Sequence, residues 1–258
     1  MARNGDVASG TPGEASLLEA GAAVTWPVMA TKRGTGAAGR RPGPIADPDQ
    51  RRELLAAASR LLAAEGPEAL TVRRIAADAG YSTMGVYSRF GGKDGIVEAL
   101  FVEGFRGLAA AMAAVPDTDD PLTDLLACGV AYRRFALAHP TSYTVMFERA
   151  VPGYEPSPGA EAIAMGTFEG LVRQVTRAID AGDLAVGLTG DPADVAQRLW
   201  AMSHGWVSLE IHGLLKAAAD DAAYEHALVA ACVPGRAGLT PSAPAAPVPG
   251  RRATPGRG

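Results

Sequence analysis

Gly80 constrains this chain more than any other residue. Before it, Val72, Ile75, Ala76 and Ala79 make the apolar face of a short helix that Thr71 can cap. After it, Tyr81, Ser82 and Thr83 lead into a third helix ending near Phe90, with Val86 and Phe90 four apart and facing one core. Two helices joined by so short a link cross closely only where a side chain is small, and Ala76 is small. A glycine at the junction supplies the left-handed backbone or close approach that a tight turn needs. The second of the two helices presents Ser82, Thr83, Gly85, Tyr87, Ser88 and Arg89 outward. A B-DNA major groove admits one helix, and a slim first turn can approach base edges while its N–H groups receive a phosphate. The layout is that of a helix-turn-helix.

The neighbouring segments read as helices too. Asp47 can cap the first, Pro48 fits its first position, and Gln50 stands where a capping box returns. Leu54, Leu55, Ala58, Leu61 and Leu62 then repeat at helical spacing until Gly66 and Pro67. Gly91 and Gly92 break the chain before a longer helix from about Lys93 toward Ala114. Later helices are predicted at 121–138, 140–149, 160–181, 192–216 and 220–232, with Pro140, Pro152, Pro156, Pro158 and Pro192 falling between them. No strand alternation is long enough to compete. The expected fold class is all-α: a three-helix helix-turn-helix domain at 47–92 and a larger helical ligand-binding and dimerisation domain at 93–233. Residues 1–46 are expected to be a disordered or weakly ordered basic arm, and 234–258 a Pro-rich basic tail. Gly95, Gly104 and Gly107 each cost the fourth helix about 1 kcal/mol of propensity relative to alanine. They allow either bending or close packing, and packing is the preferred reading.

Charge is distributed unevenly. From Lys32 to Lys93 there are 11 Lys or Arg against 6 Asp or Glu, and from Asp94 to Gly235 there are 8 against 19. A basic end on an acidic body fits a protein that meets a polyanion with one end only. The two cysteines, Cys128 and Cys232, show no metal spacing and argue against a disulfide framework, so a reducing cytoplasm is the expected compartment. No apolar run is long enough for a membrane span, and no signal peptide is expected. His139, His204, His212 and His226 form no histidine–carboxylate cluster of metal spacing, and no serine elbow or phosphate loop is present, so neither an enzyme nor a cofactor is expected.

The run Leu70-Thr71-Val72-Arg73-Arg74-Ile75-Ala76-Ala77-Asp78-Ala79-Gly80-Tyr81-Ser82, followed by Val86-Tyr87-Ser88-Arg89-Phe90 and Lys93-Asp94, closely resembles the DNA-binding domain of the TetR family of bacterial repressors. The resemblance implies a cytoplasmic homodimer that binds a near-palindromic double-stranded operator and releases it when a small molecule fills the C-terminal domain. By the same resemblance Ser82, Thr83 and Gly85 face the major groove, with Ser88 and Arg89 further along the same surface. Tyr87 reaches a phosphate or a thymine methyl, Lys93 holds another phosphate, and Thr71 caps its helix and meets the backbone. Arg73 and Arg74 add phosphate contacts, and Arg40 and Arg41 extend toward the minor groove. The alternatives are an ordinary half-buried aromatic at Tyr87, a solvated helix start at Lys93 and plain surface residues at Arg73 and Arg74.

A second resemblance lies at Leu199 to Gly213, where Trp200, His204 and Gly205 match the Trp-His-Gly signature of one C-terminal class of that family. His204 and Trp200 are either hydrogen-bonded core residues or pocket-facing ones. Phe105, Tyr132, Phe135, Tyr143, Met146, Phe147, Phe168, Trp200 and His204 are candidate lining for an apolar or aromatic effector. Leu171, Val175, Ala178, Leu209 and Leu214, on the helices near 160–181 and 192–216, are candidate dimer contacts. The rival readings are a helical enzyme and a non-DNA structural dimer with a relic helix-turn-helix.

Overall fold

The computed structural model describes residues 48–184, 191–215 and 220–232. The expected arm residues Arg40 and Arg41, the cap Asp47 and the basic tail lie outside the described residues. Among the described residues the architecture is all helical: α1 (Pro48–Glu65), α2 (Val72–Asp78), α3 (Thr83–Phe90), α4 (Lys93–Ala113), α5 (Pro121–Ala138), α6 (Pro140–Phe147), α7 (Pro158–Asp180), α8 (Pro192–Ile211) and α9 (Asp221–Cys232), with a single 3-10 turn at Pro67–Ala69.

Helix α1 exists because one face is apolar. Leu54, Leu55, Ala57, Ala58, Leu61 and Leu62 are buried, while Arg52, Glu53, Ala56 and Arg60 point to solvent. Ile75 and Ala76 of α2 and Val86 of α3 close on that face. Polar ties then hold the three helices in register. Arg60 pairs with Asp78 at 2.7 Å, Arg74 with Glu65 at 2.5 Å, and the Tyr81 hydroxyl donates to Glu53.

Three helices close in the same way on a left-handed glycine. Gly80, Gly182 and Gly213 have φ of 74°, 77° and 68°. In each case the glycine N–H and the next N–H reach back to the last turn, as in Gly80 to Ala77 and Tyr81 to Ala76. Gly213 is why α8 ends at Ile211 and not at the expected 216. Leu214 N–H bonds the Leu209 carbonyl at 2.8 Å, and no side chain other than glycine holds that backbone cheaply. Helix α6 likewise stops at Phe147, short of the expected 149, and Arg149 takes a φ of 48° in the following loop.

One apolar cluster runs without interruption from Leu54 of α1, through Ile96 and Phe105 of α4 and Tyr143 of α6, to Val207 of α8. Packing is therefore continuous across the expected boundary at 92/93. Helix α4 carries that continuity, and its glycines are the reason it can. A β-carbon at Gly95 would lie 1.7 Å from the Phe90 carbonyl oxygen; at Gly104 it would lie 2.7 Å from the Met146 sulfur; at Gly107 it would lie 2.9 Å from the Phe135 ring. All three glycines serve close approach.

Two charged clusters lock the C-terminal helices. Arg133, buried on α5, takes both oxygens of Glu210 (2.8 and 2.5 Å) and one of Asp221 (2.5 Å), tying α5 to α8 and α9. Asp124, buried at the start of α5, accepts from Thr118 N–H at 2.7 Å and the Thr118 hydroxyl at 2.8 Å, and pairs with Arg177 of α7. These bonds, the Thr118 N–H first among them, hold its carboxyl below the usual range.

Gly95→Ala sets a β-carbon against a backbone oxygen that no rotamer change can move, so it should lower unfolding stability by about 1–3 kcal/mol or more. Gly159→Ala, where the nearest atom is the Ser157 hydroxyl oxygen at 3.7 Å, an ordinary contact, should raise it or leave it unchanged. Urea titration followed by circular dichroism separates the two.

Candidate functional site

The reading surface is built at the start of α3. The Ser82 hydroxyl accepts from Gly85 N–H at 3.2 Å and so fixes where the helix begins. Thr71 does the same for α2, accepting from Arg74 N–H at 3.3 Å. Val86 is fully buried and sets the rotation of α3, which turns Ser82, Thr83, Met84, Tyr87 and Ser88 to solvent. Phe90 packs against the core at the edge of the head, with the Arg51 guanidinium 5.2 Å from its ring centroid.

Two expected groove residues sit differently. Gly85 is half-buried, and the space a side chain would take there is filled by the Gln50 amide nitrogen, 3.1 Å from the would-be β-carbon. It therefore faces α1, and what it leaves outward is backbone. Arg89 is also half-buried. Its guanidinium turns back along its own helix, donating to the Gly85 carbonyl at 3.3 Å and the Ser88 hydroxyl at 3.4 Å. The fold brings Ser82, Thr83, Tyr87 and Ser88 together on one exposed face, with Lys93 at the first position of α4 beyond Gly91 and Gly92. Arg73 is exposed, and no described residue forms an ion pair with it, whereas Arg74 is engaged by Glu65.

Met84, which motif spacing did not single out, is the most exposed large apolar side chain on this face, at 72%. The signal was present in its position, one turn before Tyr87 and two residues before the buried Val86.

The second candidate site is the aromatic centre of the C-terminal half. Phe147 of α6 is its hub, with ring centroids 5.3 Å from Phe105, 4.9 Å from Tyr143, 5.1 Å from His204 and 6.0 Å from Trp200. Phe168 of α7 joins through Trp200 at 6.0 Å. Through this apolar cluster runs a chain of polar groups. The Tyr132 and Tyr143 hydroxyls are 3.0 Å apart, and the Tyr143 hydroxyl is 2.6 Å from His204 Nδ1. Trp200 adjoins Tyr132 at the other end.

The bond between the two tyrosines can run in either direction, and the Tyr143 hydroxyl has two acceptors within reach, His204 Nδ1 and, at 3.5 Å, the His204 carbonyl oxygen. Either tautomer of a neutral His204 ring satisfies it: Nδ1 accepts from the hydroxyl, or Nδ1–H donates to it while the hydroxyl donates to the carbonyl. Burial lowers its affinity for a proton, against a weaker opposing pull from Glu148. Burial also raises both tyrosines far above their ordinary value, keeping them as donors. Trp200 and His204 are both half-buried and both belong to the aromatic centre, His204 with a hydrogen bond to Tyr143.

Phe135 and Met146 do not join this centre. Phe135 lies on Gly107 and beside the ring of His139, and Met146 lies on Gly104. A cavity of about 30 Å³ does exist next to Trp200 and Tyr132, on the side of Leu126, Cys128, Leu199 and Ser203. It is the size of a single water and far below the several hundred Å³ of a drug-sized site.

Helix α6 touches both the aromatic centre and α4. Tyr143 and Phe147 belong to the centre, and Met146, on the opposite edge, fills the notch that Gly104 leaves in α4.

The expected dimer contacts divide. Val175 and Ala178 are fully buried inside the protomer, in a cluster with Val195, Ala196 and Leu199 of α8. Leu171 packs partly on the same cluster. Val175 and Ala178 therefore hold α7 to α8 and have no surface to offer a second chain. Leu209 and Leu214 are exposed, at 44% and 66%. A different set of residues is open on these helices: Ala162 and Gly166 on α7, and Ala201 and Gly205 on α8, with nothing within 4 Å of a β-carbon at either glycine.

No group of three or more His, Cys, Asp or Glu among the described residues is arranged to hold a metal ion, and no described helix is long and apolar enough to cross a membrane.

Comparison with known proteins agrees with this architecture at both ends. Residues 54–100 match the model of bacterial regulatory proteins of the tetR family, and residues 125–232 match a tetracyclin repressor-like C-terminal domain. The HTH-type transcriptional regulators Rv1816 of Mycobacterium tuberculosis and Mb1846 of Mycobacterium bovis are each 25% identical over 180 residues, 60% of this chain and 77% of theirs. A solved structure of a Rhodococcus sp. RHA1 protein of unknown function is 28% identical, with a TM-score of 0.60 over 73% of this chain and 94% of that one. The TetR family regulator PfmR of Thermus thermophilus shares the fold at 19% identity, with a TM-score of 0.56 over 69% of this chain and 96% of that one. With a reading head at its start, a tetracyclin repressor-like domain behind it and one core joining them, the chain belongs to the TetR family of transcriptional regulators.

Proposed function

We propose that this regulator is a homodimeric repressor of a near-palindromic operator, released by a small apolar or aromatic effector, with a C-terminal domain of the Trp-His-Gly class. The observation that carries the DNA reading is the exposed, uncharged first turn of α3, fixed by the Ser82 cap and flanked by Tyr87 and Lys93. Ser82, Thr83 and Ser88 meet base edges, while Tyr87, Lys93, Thr71 and Arg73 meet phosphates. Half-sites one DNA turn apart, about 34 Å or a multiple of it, require two heads. The second head comes from a second copy packed through α7 and α8, where Gly166 and Gly205 let helices approach closely and Leu209 adds apolar area. The support for the Trp-His-Gly class is the signature spacing of Trp200, His204 and Gly205, with His204 hydrogen-bonded to Tyr143.

Effector binding acts through the same bonds. The aromatic centre is filled by its own side chains, so a guest enters by separating them. Tyr143 and Phe147 then move with α6, and Met146 moves against Gly104 of α4, which begins at Lys93 on the DNA face. Bound DNA and bound effector favour different arrangements, and each weakens the other by the same factor.

Genome-wide footprinting of the bound sites tests the DNA reading. Tyr87→Phe and Lys93→Ala should each weaken binding at every occupied site by about tenfold; Lys93→Ala should also flatten the salt dependence by about one unit of log–log slope, while the uncharged Tyr87→Phe leaves it unchanged. Unchanged occupancy in both variants removes the DNA reading. Gly205→Leu should leave the helix content unchanged and shift the protein from dimer to monomer in sedimentation velocity. Tyr143→Phe strands the Tyr132 hydroxyl and His204 Nδ1, and should cost about 1–3 kcal/mol in urea titration. His204 binds its proton less readily folded than unfolded, so its share of stability is complete above pH 6.5 and declines as pH falls below that value toward the folded-state value. Thermal melts between pH 7.5 and 5 should therefore fall more steeply for the natural protein than for His204→Gln.

A further inference from the structure

Four large apolar side chains are strongly exposed among the described residues, and two of them, Met84 at 72% and Tyr87 at 54%, stand one turn apart on α3. Single exposed apolar residues are ordinary on a protein surface. A pair on one face of an eight-residue helix is a patch, because residues three apart on a helix are neighbours. The rest of that helix does not cover it. Val86 is turned fully inward, Phe90 is against the core, and Arg89 is folded back onto Gly85 and Ser88. What remains around the pair is Ser82, Thr83 and Ser88, all exposed and uncharged. Phosphate attracts charge; this tip has none and suits base edges instead.

One group in the major groove is apolar, the C5-methyl of thymine, and it protrudes from its base pair. Methionine suits such a target: it is unbranched, turns about three bonds and carries a polarizable sulfur. We infer that Met84, with the Tyr87 ring beside it, packs on a thymine methyl in each half-site and so selects thymine at that position. This rests on α3 being the base-reading helix, and it goes beyond that reading by assigning one base and the residue that chooses it. Met84 lies at the second position of the helix, where the N-terminal turn of a recognition helix comes nearest the bases.

The experiment uses the full-length protein and a duplex obtained from it by repeated selection out of a random-sequence library. Each thymine of that duplex is replaced in turn by uracil, which removes the methyl and nothing else. Affinity is read by fluorescence anisotropy at two salt concentrations. At one thymine per half-site the natural protein should lose about three- to tenfold in affinity, the scale of one buried methyl group. Met84→Ala should bind the thymine duplex more weakly by a similar factor, show less than twofold discrimination against uracil there, and keep the salt dependence of the natural protein. Met84→Leu should retain the discrimination. The inference is overturned if no single uracil weakens binding more than twofold, or if Met84→Ala remains as sensitive to uracil as the natural protein. Failure of the selection to enrich any duplex overturns the base-reading role of α3 together with this inference. An enriched duplex indifferent to uracil overturns the inference alone and leaves the pair free for a protein partner.

Discussion

Helix α4 touches its neighbours where there is no room for a β-carbon. At Gly95 the obstacle is the backbone of α3's last residue, at Gly104 the methionine of α6, and at Gly107 the phenylalanine of α5. Glycine is a poor helix former, and three of them in one helix cost about 3 kcal/mol of propensity. The helix keeps them because only their absence of side chain lets the reading head, the centre of the body and α6 share one apolar cluster. Without those approaches the head would pack on the rest through longer side chains.

The helices were legible in the sequence because their ends are chemically marked. Thr71, Ser82, Ser157 and Asp191 each cap where the chain allows it, and Pro140, Pro158 and Pro192 begin the helices they precede or enter. The ends that were misjudged had a different cause. Gly213 falls inside the helix expected at 192–216, where a glycine permits close approach of a neighbour, yet its left-handed backbone terminates α8. A glycine in a helical pattern supports both meanings, and only the partners of the following N–H groups tell them apart.

The sites were legible in part. Motif spacing put Ser82, Thr83, Tyr87 and Ser88 on one face, since a helix repeats on its own geometry. Gly85 and Arg89 were misplaced because their orientation depends on Gln50 and on a bond back to the helix, contacts that no periodicity carries. Inward and outward faces of α7 were confused for a related reason. Val175 and Ala178 are apolar whether they meet α8 of the same chain or a second copy, and burial alone separates the two. Trp200, His204 and Tyr143, listed together as candidate lining, do lie ring to ring, yet composition alone could not distinguish Phe135 and Met146, which pack against the glycines of α4.

The line of polar groups through the aromatic centre has a chemical corollary. A guest that took the place of the Tyr143 hydroxyl would stand between the Tyr132 hydroxyl and His204 Nδ1, two groups that can each give or take a hydrogen. A pure hydrocarbon in that position would strand both, whereas a guest with one polar atom would answer them.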